Sequence, residues 1–260
     1  MQVLLFSIFI GYILTTQKMT KPHLTILVPC FNEASLIKES LTEISNFMSK
    51  KKYSWEIVVV DDGSRDSSVI KIQELKNPKI KLISYKVNRG KGGALKEGIK
   101  NSSGEFIIFM DADLSVPVET IDGFVSVLEK DLSDVVIGTR KIKSAKVLVH
   151  QPWIRENLGK GFTFITRIIT GVNVSDFTCG FKGFTNESAQ KIFNHSLLSR
   201  WAYDAEILFL AKKYGFTISE IPVTWTNRKD TRVRLGNAVV TSLIDLIKLK
   251  LNDWSGKYGN

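Results

Sequence analysis

Two aspartates, Asp111 and Asp113, end an apolar run that begins at Phe106. A continuous apolar run bounded by turn residues is typical of a strand buried on both faces of a sheet. In open α/β sheets, ligands bind beyond the carboxyl ends of such strands. Two carboxylates this close repel each other unless a cation lies between them, and hard oxygen ligands favour Mg²⁺ or Mn²⁺. The pair therefore predicts a metal site, with a solvated Asx-type turn as the alternative.

Two earlier apolar runs, 24–28 and 57–60, also lead into polar residues at predicted strand ends. The first run stops at Pro29, and the second precedes a turn at Gly63. The polar residues that follow the two runs are Asn32, Glu33, Asp61 and Asp62. Their amide and carboxylate groups could hydrogen-bond a base or a ribose. The alternatives are a helix cap at Asn32 and a plain tight turn at Gly63.

A glycine-rich loop, 88–94, carries two cations, Arg89 and Lys91, at the start of a predicted helix. Backbone N–H groups and the helix dipole at such a position attract phosphate. The loop matches neither the P-loop pattern nor the dinucleotide-binding pattern. It predicts phosphate binding of another kind, or a plain flexible turn.

Strands alternate with helices up to the run 134–140, which delivers Arg140 at its carboxyl end. This alternation predicts an α/β fold with a mostly parallel central sheet flanked by helices. Acidic strand ends, a cationic loop and an arginine then share one edge of the sheet. Together they predict a site for a nucleotide diphosphate and a metal ion.

The net charge of the 260-residue chain, +10, is unevenly distributed. Residues 1–139 contain 17 Lys and Arg against 17 Asp and Glu, whereas residues 140–260 contain 19 against 9. A basic half indicates an anionic partner. No nucleic-acid motif accompanies it, so a lipid phosphate or an anionic membrane surface is favoured over nucleic acid. The two cysteines, Cys30 and Cys179, exclude a disulfide framework by their number and are expected to be free thiols.

The chain divides into an N-terminal hydrophobic anchor (1–16), a linker (17–22), a folded domain (23–235) and a C-terminal amphipathic helix (236–260). Within the domain we expect a nucleotide-binding part, 23–140, and an acceptor-binding part, 141–235. The anchor is too short for an easy span of the roughly 30 Å hydrocarbon core, so an interfacial arm is the alternative. The lysines after it, Lys18 and Lys21, favour a cytoplasmic C-terminal side.

From 151 to 174 the pattern is an amphipathic helix with aromatic, aliphatic and basic residues. Such a helix suits a membrane interface, although packing in the core explains the pattern equally well.

The sequence resembles the family 2 glycosyltransferases of GT-A fold, and among them the dolichyl-phosphate β-glucosyltransferases. The resemblance spans residues 24 to about 235. It rests on the motifs VPCFNE (28–33), VVVDDGS (58–64), NRGKGGA (88–94), MDADLS (110–115), GTR (138–140), DFTCGFKGF (176–184), RWAYDAEILFLA (200–211) and EIPVTW (220–225).

The resemblance implies a role for each matching residue. The uridine would be held by Pro29, Asn32, Glu33, Asp61 and Asp62. Arg89 and Lys91 would reach the nucleotide, and Asp111 and Asp113 would bind the metal and the diphosphate. The acceptor's phosphate would be held by Arg140, Arg155 and Arg232, and the catalytic group would comprise Asp113, Arg140 and Arg155. Ser115 stands where mannosyl relatives often carry Gln, so water would complete the metal's coordination.

The implied reaction is an inverting transfer of glucose from UDP-glucose to a polyprenyl (dolichyl-type) phosphate, with Mg²⁺ or Mn²⁺. The enzyme would be membrane-associated, with its catalytic domain on the cytoplasmic face. GDP-mannose or another UDP-hexose is an alternative donor. A sugar hydroxyl is an alternative acceptor, for which Asp204 or Glu206 would serve as the base. A nucleotide-sugar-binding membrane protein without catalysis is the non-enzymatic alternative.

Overall fold

The fold is organised around a seven-stranded sheet in the order β3-β2-β1-β4-β7-β5-β8. A computed structural model describes residues 21–149, 153–200, 202–226 and 235–259, without the side chains of 153–156 and 235–240. The strands are β1 Leu24–Cys30, β2 Trp55–Asp61, β3 Ile80–Ser84, β4 Phe106–Phe109, β5 Val135–Thr139, β6 Lys146–Val149, β7 Lys182–Thr185, β8 Ile218–Pro222 and β9 Thr224–Thr226. Strands β6 and β9 form a separate parallel pair.

All strand pairs of the main sheet are parallel except those of β7, which runs antiparallel to both β4 and β5. The predicted α/β class with a mostly parallel sheet is thus confirmed. Neither β6 nor the antiparallel direction of β7 was predicted, because both depend on partners that are distant in the sequence.

Helices cover both faces of the sheet. They are α1 Ile37–Met48, α2 Ser68–Gln73, α3 Lys91–Lys100, α4 Thr120–Glu129, α5 Trp153–Thr170, α6 Asn186–His195, α7 Tyr203–Lys213 and α8 Leu235–Trp254. Helix α6 was not predicted. The helix expected over 151–174 is the shorter α5, and the expected C-terminal helix begins one residue early, at Leu235.

The sheet residues alternate between two buried clusters, as a period of two requires. In β4, Phe106 and Ile108 pack with α1 and α4, whereas Ile107 and Phe109 pack with α3, α6 and α7. Because both faces are covered, the strands are continuously apolar until they reach the carboxyl edge. That edge is where their polar ends emerge.

Pro29 lies inside β1 and does not stop it, contrary to the prediction. The carbonyl oxygen of Leu27 accepts a hydrogen bond from Met110 N. Backbone groups of alternate residues in a strand point to the same side, so Leu27 and Pro29 both direct theirs toward β4. Strand β4 ends at Phe109, opposite Leu27. The N–H that proline lacks is therefore not needed by the ladder at this position.

Both cysteines are free and buried, as expected. Burial raises the pKa of Cys30 to about 12 and that of Cys179 to about 11. Within the described ranges, no helix combines the length and the apolar character needed to cross a bilayer. The predicted anchor, 1–16, lies outside these ranges.

Candidate active site

The carboxyl ends of β1, β2 and β4 border a cavity of about 350 Å³. Six of the residues predicted to bind nucleotide or metal line it. They are Pro29, Glu33, Asp62, Lys91, Asp111 and Asp113. A larger depression of about 500 Å³ along α1 is lined by residues such as Lys38 and Glu43 and contains none of the predicted site residues.

Asn32 and Asp61 join the loops that follow β1 and β2. The Oδ1 of Asn32 accepts from Arg65 N at 2.7 Å, and its own N–H donates to Ser64 Oγ at 2.8 Å. Asp61, 1% exposed, accepts from Ser84 Oγ at 2.9 Å. Asn32 adopts a φ of 55°, which suits its side chain, and it does not cap α1. Neither residue lines the cavity, and their contact with a uridine stays a prediction.

Asp62 organises the glycine-rich loop. Its carboxylate accepts from Arg89 N at 2.7 Å, Gly90 N at 2.8 Å and Asn88 Nδ2 at 2.8 Å. A carboxylate has about four acceptor sites, so these bonds use most of them. Asp62 thus shapes the wall of the cavity, a role that the sequence did not indicate.

The N-terminus of α3 is closed by another segment of the chain. Gly92 N and Gly93 N both donate to the carbonyl of Ser199, at 2.9 and 3.3 Å. A Cβ on Gly90, whose φ is +87°, would lie 2.5 Å from the same carbonyl oxygen. The expected cradle of backbone N–H groups for phosphate is therefore wrong at these positions. The glycines allow the close approach of the Ser199 segment.

The cation that this loop presents to the cavity is Lys91, not Arg89. Arg89 lies over the Tyr85 ring, 4.3 Å from its centroid, and pairs with Glu97 at 3.6 Å. Lys91 Nζ donates to Asp111 Oδ1 in a short ion pair, and the two side chains are 33% and 39% exposed. Burial alone lowers the pKa of Lys91, but the Asp111 carboxylate raises it well above its ordinary value. Lys91 is therefore charged at physiological pH.

The second aspartate of the pair forms an Asx-type turn at the edge of the cavity. Asp113 Oδ1 accepts from Ser115 N at 2.9 Å, and Leu114 between them has a φ of 50°. The turn that was the alternative to a ligand site is thus present. It does not replace the site, because Asp113 also lines the cavity.

Asp111 and Asp113 fit a divalent cation that keeps part of its water shell. Across the described ranges, no three His, Cys, Asp or Glu side chains converge on one point. Mg²⁺ and Mn²⁺ need no such cage, since one or two carboxylates combine with substrate phosphates and water around them. The oxygen donors present are of the type that these ions prefer.

Arg140 is held by a buried carboxylate beside the cavity. Its Nε and Nη2 donate to the two oxygens of Asp176 at 2.7 and 2.9 Å, and Nη2 also donates to Thr178 Oγ1 at 2.9 Å. The guanidinium lies 5.2 Å from the centroid of Trp225. Burial opposes the charge of Asp176, but Arg140 outweighs it and lowers the pKa of that carboxyl well below its usual range.

The two other predicted acceptor arginines are not tested by the structure. Arg155 belongs to α5, and its side chain lies outside the described residues, as does the whole of Arg232. The neighbouring Lys141 Nζ donates to Thr163 Oγ1 at 2.6 Å, which ties the end of β5 to α5. Arg140 is thereby placed next to the helix that carries Arg155.

Asp204, a candidate base for a hydroxyl acceptor, is paired within the protein. Lys182 Nζ donates to Asp204 Oδ1 at 2.5 Å and to Cys179 O at 2.6 Å. Lys182 is 0% exposed, and a buried charge of this kind requires such a partner. Asp204 neutralises it, so this carboxylate has a structural role.

Glu206, the other candidate base, is 0% exposed and has a structural role. It accepts from Leu197 N and Leu198 N at 2.9 Å each, and from Tyr258 Oη at 2.6 Å. Burial raises the pKa of Glu206, while these donors oppose the shift. The carboxylate thus fixes the segment that ends at Ser199, which in turn closes the glycine-rich loop. Both candidate bases are thus engaged by donors within the protein, and neither carboxylate lines the cavity.

Four residues that shape the site were not predicted: Asn88, Asp176, Gly180 and Lys182. A Cβ on Gly180 would lie 2.0 Å from Asp111 Oδ2, so the backbone there passes directly beside the aspartate. All four lie inside the motifs 88–94 and 176–184. The sequence signal that was available is an acidic and a basic residue, Asp176 and Lys182, within one short segment next to a strand end.

Residues 25–193 match the profile of Glycosyl transferase family 2. The match contains every described residue of the cavity. The chain belongs to glycosyl transferase family 2. It is accordingly a glycosyltransferase, and the expected family is confirmed.

Curated relatives in this family match nearly the whole chain. A dolichyl-phosphate β-glucosyltransferase of Dictyostelium discoideum is 30% identical over 88% of this chain and 74% of its own length. The human enzyme of the same name is 31% identical over 81% of this chain and 69% of its own length. That of Saccharomyces cerevisiae is 30% identical over 90% and 76%.

Solved structures of more distant glycosyltransferases share the fold. Glucosyl-3-phosphoglycerate synthase of Mycobacterium tuberculosis, in complex with Mn²⁺ and UDP, has a TM-score of 0.64 at 20% identity over 88% of this chain and 80% of that one. A mannosyltransferase of Pyrobaculum calidifontis with GDP-mannose and Mn²⁺ has a TM-score of 0.60 at 18% identity over 96% and 71%. At these identities the likeness concerns the fold alone.

Proposed function

We propose that this glycosyltransferase moves glucose from UDP-glucose to a polyprenyl phosphate of the dolichyl type, with inversion at the anomeric carbon. The relatives named for this reaction support the sugar and the acceptor class. Chemically, the proposal requires one site for an anionic nucleotide and an adjacent site for a lipid phosphate.

The cavity at the carboxyl edge suits the donor. Glu33 and the backbone around Pro29 line the side where a base and ribose would bind. Lys91, Asp111 and Asp113 line the side where the diphosphate would lie. Asp62 keeps the glycine-rich loop in place through its three hydrogen bonds. We propose Asp111 and Asp113 as the ligands of Mg²⁺ or Mn²⁺.

One observation carries the lipid part of the proposal: the outer face of α5 exposes large apolar side chains, in addition to Phe162 and Ile169, which pack against the core. Its inner face buries Thr163, Thr166 and Thr170, and each hydroxyl donates to the carbonyl four residues earlier. Its outer face exposes Phe164, Ile165 and Ile168 by 64%, 38% and 68%. A helix facing water exposes mainly polar side chains instead. The outer face of α5 therefore suits an apolar medium.

Helix α8, which packs against α5, extends the apolar exterior. Its exposed side chains include Ile247, Leu251 and Trp254, at 59%, 54% and 78%. Both helices belong to the basic half of the chain, and lysine and arginine at a membrane surface are attracted to anionic lipid. We propose that α5 and α8 rest on the membrane, on its cytoplasmic face, and that the anchor 1–16 assists them.

The acceptor needs little proton chemistry. A phosphate monoester has a second pKa of about 6, so its attacking oxygen is already ionised near pH 7. This agrees with the structural use of Asp204 and Glu206. Arg140, oriented by Asp176, together with Arg155 and Arg232, would bind the attacking phosphate. A divalent cation bound by the aspartates would neutralise the charge that develops on the leaving diphosphate.

A donor and acceptor assay tests the proposal. Radiolabelled UDP-glucose and GDP-mannose are each offered with polyprenyl phosphate, unphosphorylated polyprenol or a free sugar, with and without a chelator. We expect label in lipid only from UDP-glucose with the phosphorylated acceptor, and loss of transfer with the chelator. The product should carry a β-linked glucose. Transfer from GDP-mannose alone, or to a sugar hydroxyl, would overturn the proposal.

A further inference from the structure

The ion pair between Lys91 and Asp111 engages one of the two carboxylates proposed as metal ligands. Lys91 Nζ donates to Oδ1 of the aspartate. On the other side, the backbone at Gly180 passes so close to Oδ2 that a Cβ there would lie 2.0 Å from that oxygen. Both oxygens of Asp111 are thus approached by the protein. A cation at Oδ1 would have the Lys91 ammonium beside it, so the two positive charges compete for this carboxylate.

The charge balance of the cavity depends on this lysine. Four carboxylates line the cavity: Glu33, Asp62, Asp111 and Asp113. Lys91 is the one cationic side chain among the described lining residues. Asp62 is satisfied by the loop, whereas the two aspartates after β4 lie two residues apart and repel each other. Lys91, which pairs with Asp111, is therefore the counter-charge that the described lining offers to these carboxylates.

The backbone around Lys91 is held independently of its side chain. The backbone on both sides is fixed, because Gly90 N donates to Asp62 and Gly92 N donates to Ser199 O. The side chain is 33% exposed and faces the cavity on a flexible four-carbon stem. A change of rotamer can carry Nζ from a carboxylate to an anionic ligand in the same cavity.

We propose that Lys91 is a built-in substitute for the metal: it holds Asp111 in the empty enzyme and moves to the donor's diphosphate when metal and nucleotide bind together. The inference rests on the proposed function, because it takes a nucleoside diphosphate as the ligand. Its consequence is that metal and nucleotide bind with positive coupling, since each favours the state in which Lys91 has left Asp111. Mn²⁺ alone binds weakly, because it must displace the lysine.

Binding of Mn²⁺ to the full chain, followed by electron paramagnetic resonance with and without UDP, tests the inference apart from activity. In the native chain, UDP should increase Mn²⁺ affinity at least tenfold. In Lys91→Met, Mn²⁺ alone should bind at least tenfold more tightly than in the native chain, and the effect of UDP should shrink. UDP itself should bind more weakly to this variant.

Two further variants serve as controls. Lys100→Met removes an exposed charge from the far end of the same helix, and it should bind Mn²⁺ as the native chain does. Lys91→Arg keeps a cation beside Asp111, so its Mn²⁺ affinity without UDP should not rise. Thermal unfolding of each variant confirms that it is folded.

Unchanged Mn²⁺ affinity in folded Lys91→Met would overturn the inference, as would an equal gain in Lys100→Met. These outcomes are separate from a failure of the proposed function. If Mn²⁺ binding tightens in Lys91→Met while the native chain fails to transfer glucose to polyprenyl phosphate, the substrate assignment is wrong and the role of Lys91 stands.

Discussion

Helices α1 and α5 pack against the same domain, yet they turn opposite kinds of surface outward. Helix α1 buries Ile37, Leu41, Ile44 and Met48. Its exposed positions are Glu39, Thr42, Glu43 and Asn46. Helix α5 buries three threonines and exposes phenylalanine and isoleucine. The first arrangement is that of a helix in water, and the second suits the proposed contact of the outer face with a membrane.

The contrast extends to charge. The part of the chain that includes α1 is electrically neutral, whereas the part that includes α5 contains the whole excess of +10. A neutral, water-facing half suits the binding of a soluble nucleotide sugar whose diphosphate is held by a metal ion. A basic half with apolar helices suits a phosphate carried by a lipid. Under the proposed function, the division of the chain at Arg140 would correspond to a division between two substrates.

The largest effect is expected at the junction of the two halves, where Asp176 holds Arg140. Asp176→Asn leaves a buried guanidinium without its counter-charge, which costs about 3–5 kcal/mol of the free energy of unfolding. Urea denaturation at pH 7 measures it. The matched control is Asp253→Asn, which breaks a partly exposed pair with Lys213 and should cost no more than about 1 kcal/mol. Equal losses in both variants would contradict the importance of the junction.

The same pair makes a defined contribution to acid sensitivity. Because the pKa of Asp176 is lower in the folded protein than in the unfolded chain, its ionisation stabilises the fold above the unfolded value of about 3.9. This stability begins to decline as the pH approaches the unfolded value, and it is fully lost once the pH has fallen through the folded value. The difference in unfolding free energy between the native chain and Asp176→Asn should therefore shrink between pH 5 and pH 3. A constant difference would contradict the lowered pKa.

Within the donor half, Asp113→Asn should lower the rate of transfer by at least about 100-fold, as loss of one charge-stabilising group does. The amide oxygen can still accept from Ser115 N, so the turn and the thermal stability should persist. Asp131→Asn is the control: this exposed aspartate has a φ of 51°, which asparagine tolerates equally well, and it lies outside the cavity. Retained transfer in Asp113→Asn would remove the aspartate from the proposed metal site.

In the lipid half, the double variant Phe164→Ser, Ile168→Ser should weaken binding to anionic vesicles by at least about tenfold. Burial of each such side chain contributes about 1.5–3 kcal/mol, and 1.4 kcal/mol is a factor of ten. Vesicle co-sedimentation measures the change. Ile70→Ser, which removes a side chain 59% exposed on α2, should leave binding unaltered. If Ile70→Ser weakens binding as much, the two halves do not differ in this respect.

The smallest expected effect is that of Tyr258→Phe. It removes one of three hydrogen bonds to Glu206 and leaves the two backbone donors in place. The loss of unfolding free energy should be about 1 kcal/mol, the net value of a typical hydrogen bond. The pKa of Glu206 should rise further, since one donor to its charged form is gone. No change in thermal stability would mean that the C-terminal tail does not support the Ser199 segment.

The sequence could predict the strand ends, because their cause is local. An apolar run that ends in Asp, as at Asp61 and Asp111, indicates both a buried strand and the position of its carboxyl end. Glu206 shows what local patterns miss. It resembles a charge at a helix start or a catalytic base, but its partner Tyr258 is 52 residues away.

The prediction that backbone N–H groups of the glycine-rich loop bind phosphate was wrong for the same reason, because their partner is distant in the sequence. Gly92 and Gly93 read as open helix N–H groups until Ser199, more than 100 residues later, is placed against them. The role of Lys182 in β7 likewise depends on its ion pair with Asp204. Helix α5 is the opposite case, because its spacing was recognised but its orientation was not. Periodicity shows that a helix has two faces, and only packing shows which face is inside.

Hydrogen exchange of the full chain with each ligand tests the division between the two halves most directly. UDP with Mn²⁺ should slow exchange in 28–33, 58–64 and 88–115, and leave 153–170 unaltered. Anionic vesicles containing polyprenyl phosphate should slow exchange in 153–170 and 235–254, and leave 37–48 unaltered. Protection of 37–48 by the vesicles, or of 153–170 by UDP with Mn²⁺ alone, would contradict the assignment of the two substrates to the two halves.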